Sequence, residues 1–244
     1  MIIGTDLVKR FDDINALYGT SFHIQKGSVY GLVGPNGSGK STLIRHIMGI
    51  YKPDAGTLTV CGEDPYENIS VKSRMAYVPD EIYYTPSQTI EDMAKLYAGV
   101  YPEFRIGRLQ SMTDIFPELD IKKKFKNLSK GMKKQASLLL AICVHAEILV
   151  LDEPMDGLDA LARNTVWKLI LESVAAHETT VLISSHNLRE LEDVCDHVGI
   201  MDHGRIIDER NIVEYDEMSL EEMFIKEVGG ESDARNDAIK KILL

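Results

Sequence analysis

The spacing of hydrophobic positions changes along the chain, and three regimes follow from it. The first third carries short apolar runs between turn residues and reads as strands and turns. Val29–Val33 is one such run, and it ends in a glycine-rich loop. Residues 40–48 then take helical spacing through Leu43, Ile44, Ile47 and Met48, with Gly49 placed to stop the helix and Pro53 beyond it. Residues 57–60 and Met75–Val78 read as further strands.

The middle is different. Ile90–Val100, 105–116 and 130–144 all carry helical spacing, with Pro102 and Pro117 as breakers. Residues 82–145 are therefore expected to form a helical insertion. Strand and helix then alternate again. Residues 148–151 and 180–183 are apolar strands, 187–194 a helix, and 198–201 with 205–208 a strand pair around His203-Gly204. Asp159 is expected to cap a helix whose inner face is Ala162, Val166, Leu169, Ile170 and Val174. Alternation on both sides of a helical insert predicts an α/β fold with a mostly parallel sheet. The expected organisation is a single domain over 1–228, with a core of about 1–81 and 146–215. Residues 219–244 are expected to give a short helix and then a tail from 229.

Composition narrows the classes of function. The 244 residues are 44% hydrophobic and 27% charged, as in an ordinary globular domain. The formal net charge of −11 argues against bulk nucleic-acid binding, which uses a basic face. Cys61, Cys143 and Cys195 lie far apart without CxxC spacing and read as buried apolar residues of a reducing compartment. The N-terminus lacks the pattern of a signal peptide, and the longest apolar stretch, 137–144, falls well short of the ~20 residues of a membrane helix. A soluble chain is expected, whose membrane role would run through a partner.

Two segments carry chemistry. Gly34-Pro35-Asn36-Gly37-Ser38-Gly39-Lys40-Ser41 fits G-x-x-x-x-G-K-[ST] at every fixed position. Glycines let the backbone curl so that N–H groups face inward, and the following helix adds its positive end. Lys40 supplies charge for the β- and γ-phosphates, Ser41 a hydroxyl for Mg²⁺, and Thr42 extends the polar end. An apolar strand before the loop and a helix after it make a nucleotide the expected ligand. The second segment, 148–154, is an apolar strand ending in Asp152 and Glu153. Asp152 would hold the magnesium, directly or through water. Glu153, on the other face by the period-2 rule, would accept a proton from the attacking water. His186 follows a core strand, where α/β sites gather, although a lone histidine is often structural.

A third segment, Asn127-Leu128-Ser129-Lys130-Gly131-Met132, opens a helix and reads by itself as a helix N-terminus able to hold an anion. With the other motifs in this order, it resembles the signature sequence of ABC transporter nucleotide-binding domains. The resemblance runs to about residue 228. It implies a P-loop ATPase core with an N-terminal antiparallel β part and a helical insertion. It places Phe11 on the adenine, Asp80 at the Q-loop, and Ser129, Lys130, Gly131 and Met132 in the signature. Asp159 falls in the D-loop, and Glu153 and His186 become the catalytic pair. Two positions depart from the family pattern. Asp80 stands where glutamine is usual, and a carboxylate would engage metal through water instead. Lys130 replaces a signature glycine. Both variants resemble the subgroup that drives ABC-2 and bacitracin-type exporters.

The resemblance further implies a homodimer or heterodimer of ATP-binding subunits beneath a separate membrane permease, peripheral on the cytoplasmic face. In that dimer, one chain's signature covers the other's ATP. Ile82-Tyr83-Tyr84 would supply part of a docking groove or pack inside the insertion. Importer subunits and soluble ABC ATPases of translation or DNA repair are the alternatives. The latter usually have paired cassettes or long coiled-coil insertions, which this chain lacks.

Overall fold

The computed structural model describes residues 1–112, 114–212 and 219–228. Two sheets form its frame. In the first, β1 (Ile2–Phe11) lies between β2 (Ile14–Ile24) and β4 (Ala55–Val60), antiparallel to both. The second is built from β3 (Val29–Val33), β5 (Met75–Val78), β6 (Ile148–Asp152), β7 (Thr180–Ser184), β8 (His197–Asp202) and β9 (Arg205–Asn211). Its order is β5-β6-β7-β3-β8-β9, parallel except for the final pair.

The central strands are apolar at nearly every position because both faces are covered. In β6, Ile148 and Val150 face the layer holding the antiparallel sheet and α1 (Lys40–Ile47), while Leu149 and Leu151 face the opposite core. Leu182 of β7 joins the first core, and Val181 and Ile183 join the second. The second core also takes α5 (Lys130–Cys143) through Leu138, Leu139 and Leu140, and α6 (Ala160–His177) through Val166 and Ile170. Asp159 caps α6, accepting from the Ala162 N–H at 2.9 Å, and Ala162, Val166 and Ile170 of the expected inner face are buried.

Between β5 and β6 lie α3 (Ile90–Val100), α4 (Ile106–Met112) and α5, where the insertion was expected. Thr89 and Asp92 form a capping box at the start of α3. The helix expected over 105–116 is shorter: α4 stops at Met112, and Phe116 and Leu119 are buried from a non-helical segment before and after Pro117. The helix expected over 187–194 is α7 (Leu188–Glu192), and the one expected after 219 is α8 (Leu220–Val228). A four-residue α2 (Ile69–Lys72) precedes β5. The tail from 229 lies outside the described residues.

Candidate functional site

Strand order creates the site. β3 lies beside β7, and β7 beside β6, all parallel, so their carboxyl ends come out on one edge. The glycine loop, the acidic pair and the His186 turn are far apart in sequence but adjacent there, as expected where an α/β sheet gathers its ligands.

The loop is curled by its glycines. Gly37 and Gly39 have φ of 83° and 112°, a left-handed backbone that side chains oppose. A Cβ at Gly39 would also lie 2.6 Å from the Ala16 carbonyl. Lys40 opens α1 and turns back, donating to the carbonyl oxygens of Gly34 at 2.8 Å and Pro35 at 3.2 Å. Only 8% of Lys40 is exposed. Burial lowers its ammonium pKa from the ordinary lysine value, and the carboxylates of Glu153 and Asp152 push back.

Asp152 is the last residue of β6 and is in register with Ser184, the last of β7. The Ser184 hydroxyl donates to Asp152 Oδ1 at 2.6 Å and accepts the Glu153 N–H at 3.0 Å. Ser184 thus fixes both carboxylate residues, and it was not singled out from the sequence. Its signal was a polar residue just past an apolar run. The period-2 rule does not reach Glu153. β6 ends at Asp152, and Glu153 has φ 47°, so a left-handed turn sets its direction, not strand alternation. That turn brings Glu153 Oε2 to 2.9 Å from His186 Nδ1. A carboxylate only accepts, so Nδ1 carries the hydrogen. The His186 ring is otherwise open, with its side chain 66% exposed. Asp156 joins this pair, and the three side chains bring ligand atoms within 4.8 Å of one another.

A cavity of about 280 Å³ lies over the loop, lined by Asn36, Gly37, Gly39, Lys40, Ser41, Thr42, Asp80, Asp152 and Glu153, with Ile14, Asn15 and Ala16 on its far wall. A second, of about 540 Å³, adjoins it and holds Gly34, Pro35, Asn36, Asp80, Glu153, Asp156 and His186. Ser38 is buried beneath the loop, and its carbonyl accepts the Gly204 N–H at 2.8 Å. Phe11 does not line either cavity. It stands at the end of β1, 37% exposed, with its ring edge-on to Tyr51 at 5.4 Å.

Ser129, Gly131 and Met132 lie elsewhere. They line a separate hollow of about 390 Å³ with Gly157, Leu158 and Asp159. Ser129 caps α5 through the Met132 N–H at 3.2 Å. Gly131 sits so close to Gly157 that a Cβ on it would lie 2.6 Å from the Gly157 carbonyl. Lys130 Nζ is 4.0 Å from Asp156 Oδ2. Lys134, also missed in the sequence, is only 1% exposed. It donates to the carbonyls of Pro79 at 3.3 Å and Asp80 at 3.0 Å and lies 3.7 Å from the Asp80 carboxylate.

A family model described as ABC transporter matches residues 17–156. The ABC transporter ATP-binding protein YtrB of Bacillus subtilis (strain 168) is 33% identical over 226 residues, 93% of this chain and 75% of that protein. The chain belongs to the ABC transporter ATP-binding family. The Nod factor export ATP-binding protein I of Burkholderia pseudomallei (strain K96243) is 34% identical over 214 residues, 82% of this chain and 67% of that protein. A solved ATP-binding subunit of an ABC transporter is 26% identical, with a TM-score of 0.86 over 93% of this chain and 99% of that one. A dimeric bacterial ABC transporter cassette, 18% identical, shares the fold with a TM-score of 0.79 over 87% of this chain and 99% of that one. The chain is thus an ABC ATPase subunit, which binds and hydrolyses ATP. Among the described residues, no helix is long and apolar enough to cross a membrane.

Proposed function

We propose that this ABC ATPase powers export through a separate membrane permease, working as a dimer at the cytoplasmic face in which each chain's Ser129–Met132 segment covers ATP held by the other. The observation that carries the reading is the separation within one chain: the glycine loop and the Glu153–His186 pair line one set of cavities, and Ser129 and Gly131 line another. Two chains placed head to tail would bring these halves together. The similarity to a Nod factor export ATP-binding protein supports the export direction.

The loop N–H groups and Lys40 would grip the triphosphate. The oxygen donors Ser41, Asp152 and Asp80 line one hollow beside Lys40, a donor set that suits a hard cation such as Mg²⁺. Bound there, Mg²⁺ would neutralise phosphate charge. Glu153 would take the proton of the attacking water, and His186, held by Glu153, would orient the water and contact the γ-phosphate. Phe11 would stack on the base after leaving Tyr51, with Ile14 and Ala16 as the rest of its seat.

The test is Glu153→Gln. ATP binding should persist, hydrolysis should fall at least about 100-fold, the range for loss of a general base, and light scattering should show an ATP-dependent dimer. Undiminished hydrolysis would remove Glu153 from the chemistry. A strictly monomeric, ATP-loaded variant, even beside its permease, would sink the dimer.

A further inference from the structure

Between the two halves of the site runs an unbroken set of contacts within one chain. At one end, Gly131 of the signature abuts Gly157, and Lys130 faces Asp156. The next residue after Gly157 is Leu158, whose carbonyl accepts from Arg163 Nε at 3.1 Å. The other arm of the same guanidinium, Nη1, donates to Glu190 Oε1 at 2.9 Å. That oxygen also accepts from Asn187 Nδ2 at 2.7 Å. Asn187 is bonded to His186 in the chain, and its own N–H is fixed by the Ser185 hydroxyl at 3.0 Å. His186 ends the path on Glu153.

Arg163 bonds the loop of residues 156–159 directly and reaches the His186 turn through Glu190 of α7, which it shares with Asn187. Its rigid fork matches two acceptors at a fixed spacing, which a flexible lysine ammonium cannot reproduce. Glu190 is four-fifths buried at the side chain, and its Oε2 is buried without a partner, so its charge is answered by Arg163 on one oxygen. Moving the carboxylate away from the guanidinium would break this charge-assisted hydrogen bond. When the loop of residues 156–159 shifts, the His186 turn must therefore shift with it or break the pair.

We propose that Arg163 is a positioning residue that links the loop behind the signature to the His186–Glu153 pair, so that engagement of one nucleotide sets hydrolytic geometry at the other. In the dimer, a chain's signature faces the partner's nucleotide, while its Glu153 faces its own. The path thus joins the two ATP sites through the interior of one subunit, and this inference rests on the dimer reading above.

Losing Arg163 alone would leave the buried Glu190 Oε2 on a carboxylate without its cation, so the test removes both partners. With side chains 40% and 21% exposed, the pair is partly solvated, and replacing both partners by apolar side chains of similar volume is close to neutral for stability. Arg163→Met with Glu190→Leu should therefore leave the melting temperature nearly unchanged while it severs the path. In the full-length chain, kcat should fall about 10-fold, within the span of measured coupling effects. KM for ATP should stay within about twofold, because neither residue lines the nucleotide cavity. The Hill coefficient for ATP should drop from about 2 toward 1. The same pair of changes on the Glu153→Gln background should still dimerise with ATP. Arg163→Lys should recover only part of kcat.

A double variant with the parent kcat and Hill coefficient would overturn the relay while leaving the dimer intact. A parent chain that hydrolyses ATP as a monomer would overturn the dimer reading, and the relay with it.

Discussion

Lys40 shows how much a single residue carries. Lys40 is almost wholly buried, and its ammonium donates to two loop carbonyls. Burial lowers its pKa below the ordinary lysine range, and Glu153 and Asp152 only partly oppose this. The sign for binding follows from linkage. A triphosphate favours the charged form, so the pKa rises on binding and a proton is taken up at alkaline pH. ATP affinity should therefore fall as pH rises through the lowered value, before the range about pH 10.4 where a free lysine titrates. Calorimetry in two buffers of different ionisation enthalpy would detect the uptake. Flat affinity and no proton uptake up to about pH 10 would contradict it. At the same scale, Lys40, Ser41, Asp152 and Glu153 were legible as a set because each chemistry admits few residue types. Ser184 was not, since a serine at the end of a strand has no distinctive pattern. Strand alternation was the wrong reason for Glu153's direction, because β6 ends at Asp152 and a positive φ follows.

Among elements, α5 is constrained at its start. Its start is set by the Ser129 cap, and its first turn is pressed against the backbone at Gly157. A methyl at position 131 would meet a carbonyl oxygen, which backbone must yield to at a cost of about 1–3 kcal/mol. Gly131→Ala should lower urea-unfolding stability by that order and strongly reduce hydrolysis. Nucleotide affinity of the monomer should be unchanged, because Gly131 is outside the loop cavity. Fluorescent-nucleotide titration alongside turnover would separate these effects, and wild-type turnover would show that the close approach is unimportant. Element spans with strong periodicity read correctly: Val29–Val33, Met75–Val78 and Ile90–Val100 stand where the pattern put them. The long β1 and β2 were read only as strands and turns, because register shifts interrupt their alternation near Gly4, Leu7 and Lys9. The shortening of α4 has a packing reason. Phe116 and Leu119 keep helical spacing in sequence but are buried by the loop that carries them.

Across the whole molecule, Lys134 ties the helices of the insertion to the sheet. It projects from α5, is buried, and holds the Pro79 and Asp80 carbonyls just past β5. Burial lowers its pKa, and the Asp80 carboxylate pulls it back up. The departure at Asp80 thus has a counterpart on α5, which the sequence did not connect to it. Lys134→Met would keep the apolar stem and leave the two carbonyls without their donor. Unfolding free energy should fall by about 1–3 kcal/mol, the cost of stranding buried polar groups. A variant as stable as the parent in urea would show that water replaces the ammonium without cost.

The amino-acid order alone settled what is local. Phosphate needs glycines and a lysine at fixed offsets, and a strand covered on both faces must be apolar throughout. Those demands act within a few residues, so they leave a pattern that can be read. The side-by-side placement of β3, β7 and β6 was decided only in three dimensions, as were the Ser184 bridge, the Lys134 strut and the Arg163 fork. Each joins residues 20 or more positions apart at one end or both, and the chain carries no periodic trace of which distant partners packing will select.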